Sequence, residues 1–482
     1  MEDLFKKLQS QLNPTLYGTA LIHLVLAVVF LLLSFIDTRY VLGIPLWYKP
    51  FKFAISIAVY TATLAYLVPF LPSRVIRNTI AFGTSVAMFV EMVLIALQAG
   101  RGTLSHYNYE DAFGIIVYSV MGVFIGIASI LLIVLGIGLL RDKPEAWSKS
   151  FRQATQIGIW LTVFGTIIGG YMSSKLGHTM GGPDGGAGLP LLNWSTKLGD
   201  WRVPHFIGLH ALQVFLLVGW LLRKNPLAQL LQWVSFIVYS AVLVATVLLT
   251  LQGTAMFDTM YHGMKFLHIV AGFSALLLFW IPIVVTKGCK IHNRVGWAYV
   301  VSMSVVAISA WYMAFWRIVL DPDRNAESFA FACFLIFIAI LSAVTAWFGI
   351  RALYNHRQKL RVGIIDLAAS TMLLGSGLGL CIYGFTMGNP LISWFPLIGV
   401  SLGVQQLYYW LSPPRNRHSA IIAHLQGLLA CSISTLTAFT VFGAPRLLSL
   451  DGQVLWLWLA PTLLINPIII YFIRKYQKKA AA

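Results

Sequence analysis

Apolar residues run along this chain in long unbroken stretches, not in the alternation of a strand or the narrow stripe of a soluble helix. Each stretch is close to the ~20 residues that cross ~30 Å of hydrocarbon as a helix. The pattern predicts helices near 17–36, 51–71, 79–98, 113–140, 154–172, 204–222 and 229–251. Seven more are predicted near 264–285, 296–316, 329–350, 366–385, 392–411, 419–442 and 454–473. The fold class is all-α: a polytopic integral membrane protein of about 14 transmembrane helices.

Charge sets the orientation. With the N terminus cytoplasmic, most of the 34 Lys and Arg fall on inner segments. Lys6, Lys7, Arg74, Arg77, Lys143, Arg357 and Arg415 are among them. The bias repeats loop after loop, as the positive-inside rule requires, and places both termini inside. The net charge of +18 then follows from topology and from attraction to anionic inner-leaflet lipid; nucleic acid is excluded as a partner. The expected partner is the lipid bilayer, and the expected location a cell membrane, the bacterial cytoplasmic membrane.

Seven helices on each side of residue 252 divide the chain into halves 1–252 and 253–482, the first carrying an outer Gly-rich loop at 173–203. Because seven is odd, halves descended from one ancestor would be inverted repeats. The four cysteines lie too far apart for a CxxC site and imply no disulfide framework.

Histidines carry the candidate chemistry. An imidazole is costly in hydrocarbon unless its ring nitrogens are satisfied, so an intramembrane His is a functional hypothesis. His23 and His424 fall near the inner ends of their predicted helices, and His210 and His268 near the outer ends, each about five residues in. Read as an inner and an outer pair, they suit axial ligation of two b haems and electron transfer across the membrane. The plainer reading is a neutral buried ring bonded to a neighbour, with Gln213 and Gln426 as partners for His210 and His424.

His106, His178, His205 and His262 fall on the outer side. With Asp184 and Asp200 they are candidates for a transition-metal site, although no HxxxH or HxxEH spacing marks one. Glu91 is the one carboxylate inside a predicted helix and a candidate proton relay or catalytic group. Lys49 and Lys52 in LWYKPFKF read as anchors at a helix start.

Residues 264–442, through LHIVAGFSALL, KIHNRVGWAYVVSMSVVAISA and HLQGLLACSISTLTAF, resemble a family of bacterial integral membrane proteins of unknown function. That resemblance transfers no activity. In pattern alone the chain is similar to di-haem cytochrome b561-type proteins, which implies haem b at His pairs and a quinone or another redox partner. Two other function classes stand beside this one: a secondary transporter of a small solute or ion, and a metal-dependent enzyme at the outer face.

Overall fold

The computed structural model describes residues 12–142, 144, 145, 147–185, 188–321, 325–412, 417–445 and 455–481. Lys6, Lys7, Lys143 and Arg415, counted above toward the inner charge, lie outside the described residues. Contacts divide the chain into two compact units, Met1–Asp258 and Thr259–Ala482.

The first unit consists of α1 (Pro14–Ile36), α2 (Tyr48–Leu67), α3 (Arg74–Arg101), α4 (Ala112–Asp142), α5 (Lys149–Lys175), α6 (Arg202–Leu222) and α7 (Ala228–Leu251). Two short antiparallel ribbons join them on one side. Residues Tyr40–Val41 (β1) pair with Ile44–Pro45 (β2), and Thr179–Met180 (β3) with Gly199–Asp200 (β4).

The second unit holds α8 (Met256–Leu278), α9 (Trp280–Val284), α10 (Lys290–Phe315), α11 (Ala326–Gln358), α12 (Ile364–Met387), α13 (Pro390–Trp394), α14 (Leu397–Leu411), α15 (Arg417–Ala438) and α16 (Leu455–Ala481).

Among the described residues, thirteen helices, some built from two consecutive segments, are long and apolar enough to cross a membrane. The fourteenth predicted span, 454–473, corresponds to α16. The chain is therefore a multi-pass helical membrane protein. Large apolar side chains such as Phe35 and Ile364 lie on the outside, where lipid rather than water solvates them.

Helix starts follow ordinary capping. The side chains of Asn13, Ser73 and Ser148 accept from the third backbone N–H of α1, α3 and α5, which satisfies groups the helices leave unpaired. Gly102 closes α3 in the left-handed conformation at φ 75°, where a Cβ would be strained.

Several helices begin well before their apolar runs do, because the first turns carry polar residues. Helix α8 starts at Met256, not near 264, its opening turns holding Asp258, His262 and Lys265. His268 consequently lies about three turns into its helix, deeper than the five residues expected. His23 in α1 is likewise deeper, since that helix opens at Pro14.

Two close helix crossings are built on glycine. A Cβ on Gly208 of α6 would stand 2.4 Å from the Cα of Gly165 on α5. In the second unit a Cβ on Gly427 of α15 would stand 2.6 Å from the backbone N of Gly349 on α11. Small residues at such crossings let backbones approach where apolar lipid offers no hydrophobic drive.

Candidate functional site

The Gly427–Gly349 crossing brings the start of α15 against α11, and His424 lies one turn before the glycine. Its Nδ1 donates to the carbonyl oxygen of Gly349 at 3.0 Å. His292, in the first turn of α10, directs Nδ1 to the carbonyl oxygen of Pro282 at 3.3 Å, while its backbone N–H meets the Cys289 thiol that caps the helix. The two imidazole centroids are 6.5 Å apart and their planes are inclined at 57°.

The carbonyl partners decide the chemistry of these rings. A carbonyl only accepts, so each Nδ1 carries the proton and each neutral ring keeps its lone pair on Nε2. This is the arrangement that holds metal-ligating histidines in a fixed tautomer and orientation.

Both rings line a cavity of about 1200 Å³. Lys287, Arg357, Lys359 and Arg417 also line it, and among the described residues no Asp or Glu does. Aromatic walls come from Trp297, Tyr299 and Phe472.

Asn355 is held at this cavity by Asp366. The Asp366 carboxylate is fully buried and accepts from Arg351 Nε at 2.8 Å, a second Arg351 nitrogen at 3.0 Å and Asn355 Nδ2 at 3.1 Å. Asn355 Oδ1 is left without a hydrogen bond although buried. The cavity thus offers two imidazole lone pairs, a rim whose described charged residues are all cationic, and aromatic walls.

The other proposed ligands fall out differently. His23 belongs to the first unit and His424 to the second, as do His210 and His268 respectively. His424 has His292 as its ring neighbour. His23 is fully buried, gives Nδ1 to the Thr19 carbonyl at 2.8 Å, packs on Phe89 and leaves Nε2 unpaired. His268 directs Nδ1 to the Val306 carbonyl and the Ser309 hydroxyl. The His210 ring packs on Phe206 at 4.2 Å. Gln213 partners His210, as expected, and its Nε2 also donates to Thr63 at 3.2 Å, whereas the Gly349 carbonyl takes the place expected of Gln426.

On the loop side of the first unit, 173–203 forms a cap rather than a linker. Asp184 accepts from the backbone N–H of His178 and Thr179, and Asp200, 3 % exposed, accepts from Ser195 N–H, Arg202 N–H and the Arg202 guanidinium. Both carboxylates are thereby committed to closing turns. Burial and the charge of Arg202 hold His178 down to about 4, while Asp200 and Asp184 pull the other way. Burial, with Lys49 and His205 nearby, keeps His106 well below the ordinary histidine range. Both rings are neutral at pH 7.

His205 gives Nδ1 to the Gly165 carbonyl at 2.8 Å, three residues before the Gly208 crossing. This repeats the His424–Gly349–Gly427 device, with the accepting carbonyl on the fifth candidate membrane span of its unit rather than the third. His262 is exposed and belongs to the second unit, apart in sequence from the other three outer histidines. Among the described residues, no three His, Cys, Asp or Glu side chains come together as a metal-ion site.

Two participants escaped the sequence reading. His292, inside the polar stretch KIHNR, stands in neither of the histidine pairs read from the sequence. Lys49 was read as an anchor, yet Lys52, Arg202, Glu91, His106 and His178 all lie within reach of its charge.

No protein-family model, curated protein or solved structure matches this chain.

Proposed function

We propose that the protein is a membrane-embedded haem-binding electron-transfer protein whose iron is held by His292 and His424. The observation that carries this reading is the pair of Nδ1-anchored imidazoles 6.5 Å apart, both lining a large cavity. With Nδ1 of each ring committed to a backbone carbonyl, His292 and His424 would hold the iron through their Nε2 lone pairs. Arg357, Lys359, Arg417 and Lys287 supply the positive charge that a macrocycle's carboxylates require, and the aromatic walls supply its apolar bed.

With the N terminus inside, the loops lining the cavity fall on the cytoplasmic side of what we take to be a bacterial inner membrane. A haem there would exchange single electrons with a soluble donor or a quinone. The chain's own part is to fix both tautomers through backbone carbonyls and to exclude counter-charge from the rim.

The test is the optical spectrum of detergent-purified full-length protein, oxidised and then dithionite-reduced, with haem and iron quantified. The expected result is a b-type spectrum with near one haem per chain, lost in His292→Ala and in His424→Ala. Colourless protein from haem-replete cells, or haem content untouched by both substitutions, overturns the proposal.

A further inference from the structure

At one end of the second unit the charge is one-sided. The helix ends that meet at the cavity, with the segment following α11, carry Lys290, Arg294, Lys359, Arg361, Arg474 and Lys475, all exposed. Among the described residues, the one carboxylate at this end is Asp366, which is fully buried and already paired with Arg351 at 2.8 Å. The remaining described acids of the unit lie at the opposite end. Asp321 follows the far end of α10, and Glu327 is roughly 45 Å along α11 from Arg357 at 1.5 Å per residue.

Topology accounts for the cations but not for the missing carboxylates, because the positive-inside rule counts Lys and Arg and gives Asp and Glu little weight. The first unit shows what topology alone leaves: exposed Arg74, Arg141 and Lys224 share its inner end with exposed Asp142 and Glu145. The cations of the second unit also converge. Lys287, Arg357, Lys359 and Arg417 come from separate helix ends and line one cavity, whereas attraction to lipid headgroups requires only that each span end carry its own charge. An exposed face of one sign, gathered around a cavity, has the form of a docking surface.

We infer that this end of the second unit docks a soluble protein with an acidic face. The docking stands on charge alone; the partner's role rests on the haem reading, under which it is a one-electron carrier, oxidised by one electron as the iron held by His292 and His424 is reduced by one. A quinone presents no charge for such a face to recognise. Opposite potentials across an exposed contact speed and orient encounter more than they tighten it, which suits a carrier that must leave after each transfer.

The experiment is calorimetric titration of the full-length protein, held in nanodiscs of pure phosphatidylcholine, with an acidic plant-type ferredoxin and with basic cytochrome c as control. Ferredoxin should bind and cytochrome c should not, and raising salt from about 0.05 M to about 0.5 M should weaken ferredoxin binding at least about tenfold. Replacing Lys290, Arg294 and Arg361 together by Gln should weaken it about tenfold or more, while Arg74→Gln with Lys224→Gln in the first unit should leave it intact. These three residues lie outside the cavity lining, and unaltered circular dichroism shows that the variant is folded. Equal binding of cytochrome c, unweakened binding in the folded triple variant, or equal weakening in the first-unit variant overturns the inference. So does absence of ferredoxin binding; a Tm raised in phosphatidylglycerol discs would then assign the cations to lipid headgroups. Haem is quantified on the same samples. Binding to haem-free protein leaves the docking surface standing and overturns only its redox role, whereas haem-loaded protein that binds no ferredoxin overturns the docking surface and not the haem reading.

Discussion

Replacing Gly427 by Ala tests whether the α11–α15 crossing positions His424. The added Cβ would lie 2.6 Å from Gly349 N, 2.6 Å from Thr345 O and 2.7 Å from Gly349 Cα. All three are backbone atoms of one helix, so no side chain can rotate away. Ordinary contact needs about 3.5 Å, so the helices must part by roughly 1 Å. That shift takes the His424–Gly349 hydrogen bond from 3.0 Å past the range in which it holds. Overpacking costs about 1–3 kcal/mol, and the lost bond adds about 1 kcal/mol. Thermal unfolding in detergent should show a clear drop in Tm, with Gly272→Ala as control, since nothing lies within 4 Å of a Cβ there. If Gly427→Ala melts with the unaltered protein while Gly272→Ala does so too, the crossing does not set the geometry and the reasoning fails.

Three further outcomes are expected. Asp200→Asn removes the buried charge that gathers Ser195 N–H and Arg202, at a cost of roughly 3–5 kcal/mol to the cap, read as faster proteolysis within 173–203. Asp366→Asn frees Arg351 and Asn355 by the same mechanism, and lowered Tm with altered ligand retention in the second unit checks it. The cap should loosen on acidification. His178 binds its proton near 4 in the folded chain but near 6.5 when unfolded, so the unfolded state holds more protons between those values. Its contribution is therefore complete above about 6.5 and falls away as pH drops toward 4. Amide exchange across 176–201 should rise over that window and rise less in His178→Gln; a pH-independent exchange rate in the unaltered protein would contradict it.

The membrane architecture was legible because hydrocarbon demands one simple signal, and even α16 follows its apolar run. Helix ends were less legible. Met256–Lys265 carry polar residues that break the hydropathy pattern without breaking the helix, and so His268 was placed too near an end. Histidine pairing was not legible at all, since the glycine crossings that aim His424 and His205 are long-range. HLQG and HFIG share a spacing, but only the packing shows that the last residue of each lies against another backbone. Lys49 was hidden for a similar reason. Its neighbours Glu91, His106 and Arg202 are gathered from separate loops and helices.

The glycine crossing under His424 has a consequence for how α15 can move. Where side chains interlock, a helix can creep by exchanging rotamers, but at Gly427 the neighbouring backbone itself is the obstacle. Sliding α15 one residue along its axis would advance it about 1.5 Å and turn it by about 100°, driving a side-chain-bearing position into α11. The crossing therefore works as a detent: the second unit can pivot about Gly427 more readily than it can slide there, and any gating motion of α15 should be a hinge at this point with the imidazole one turn away as its pointer.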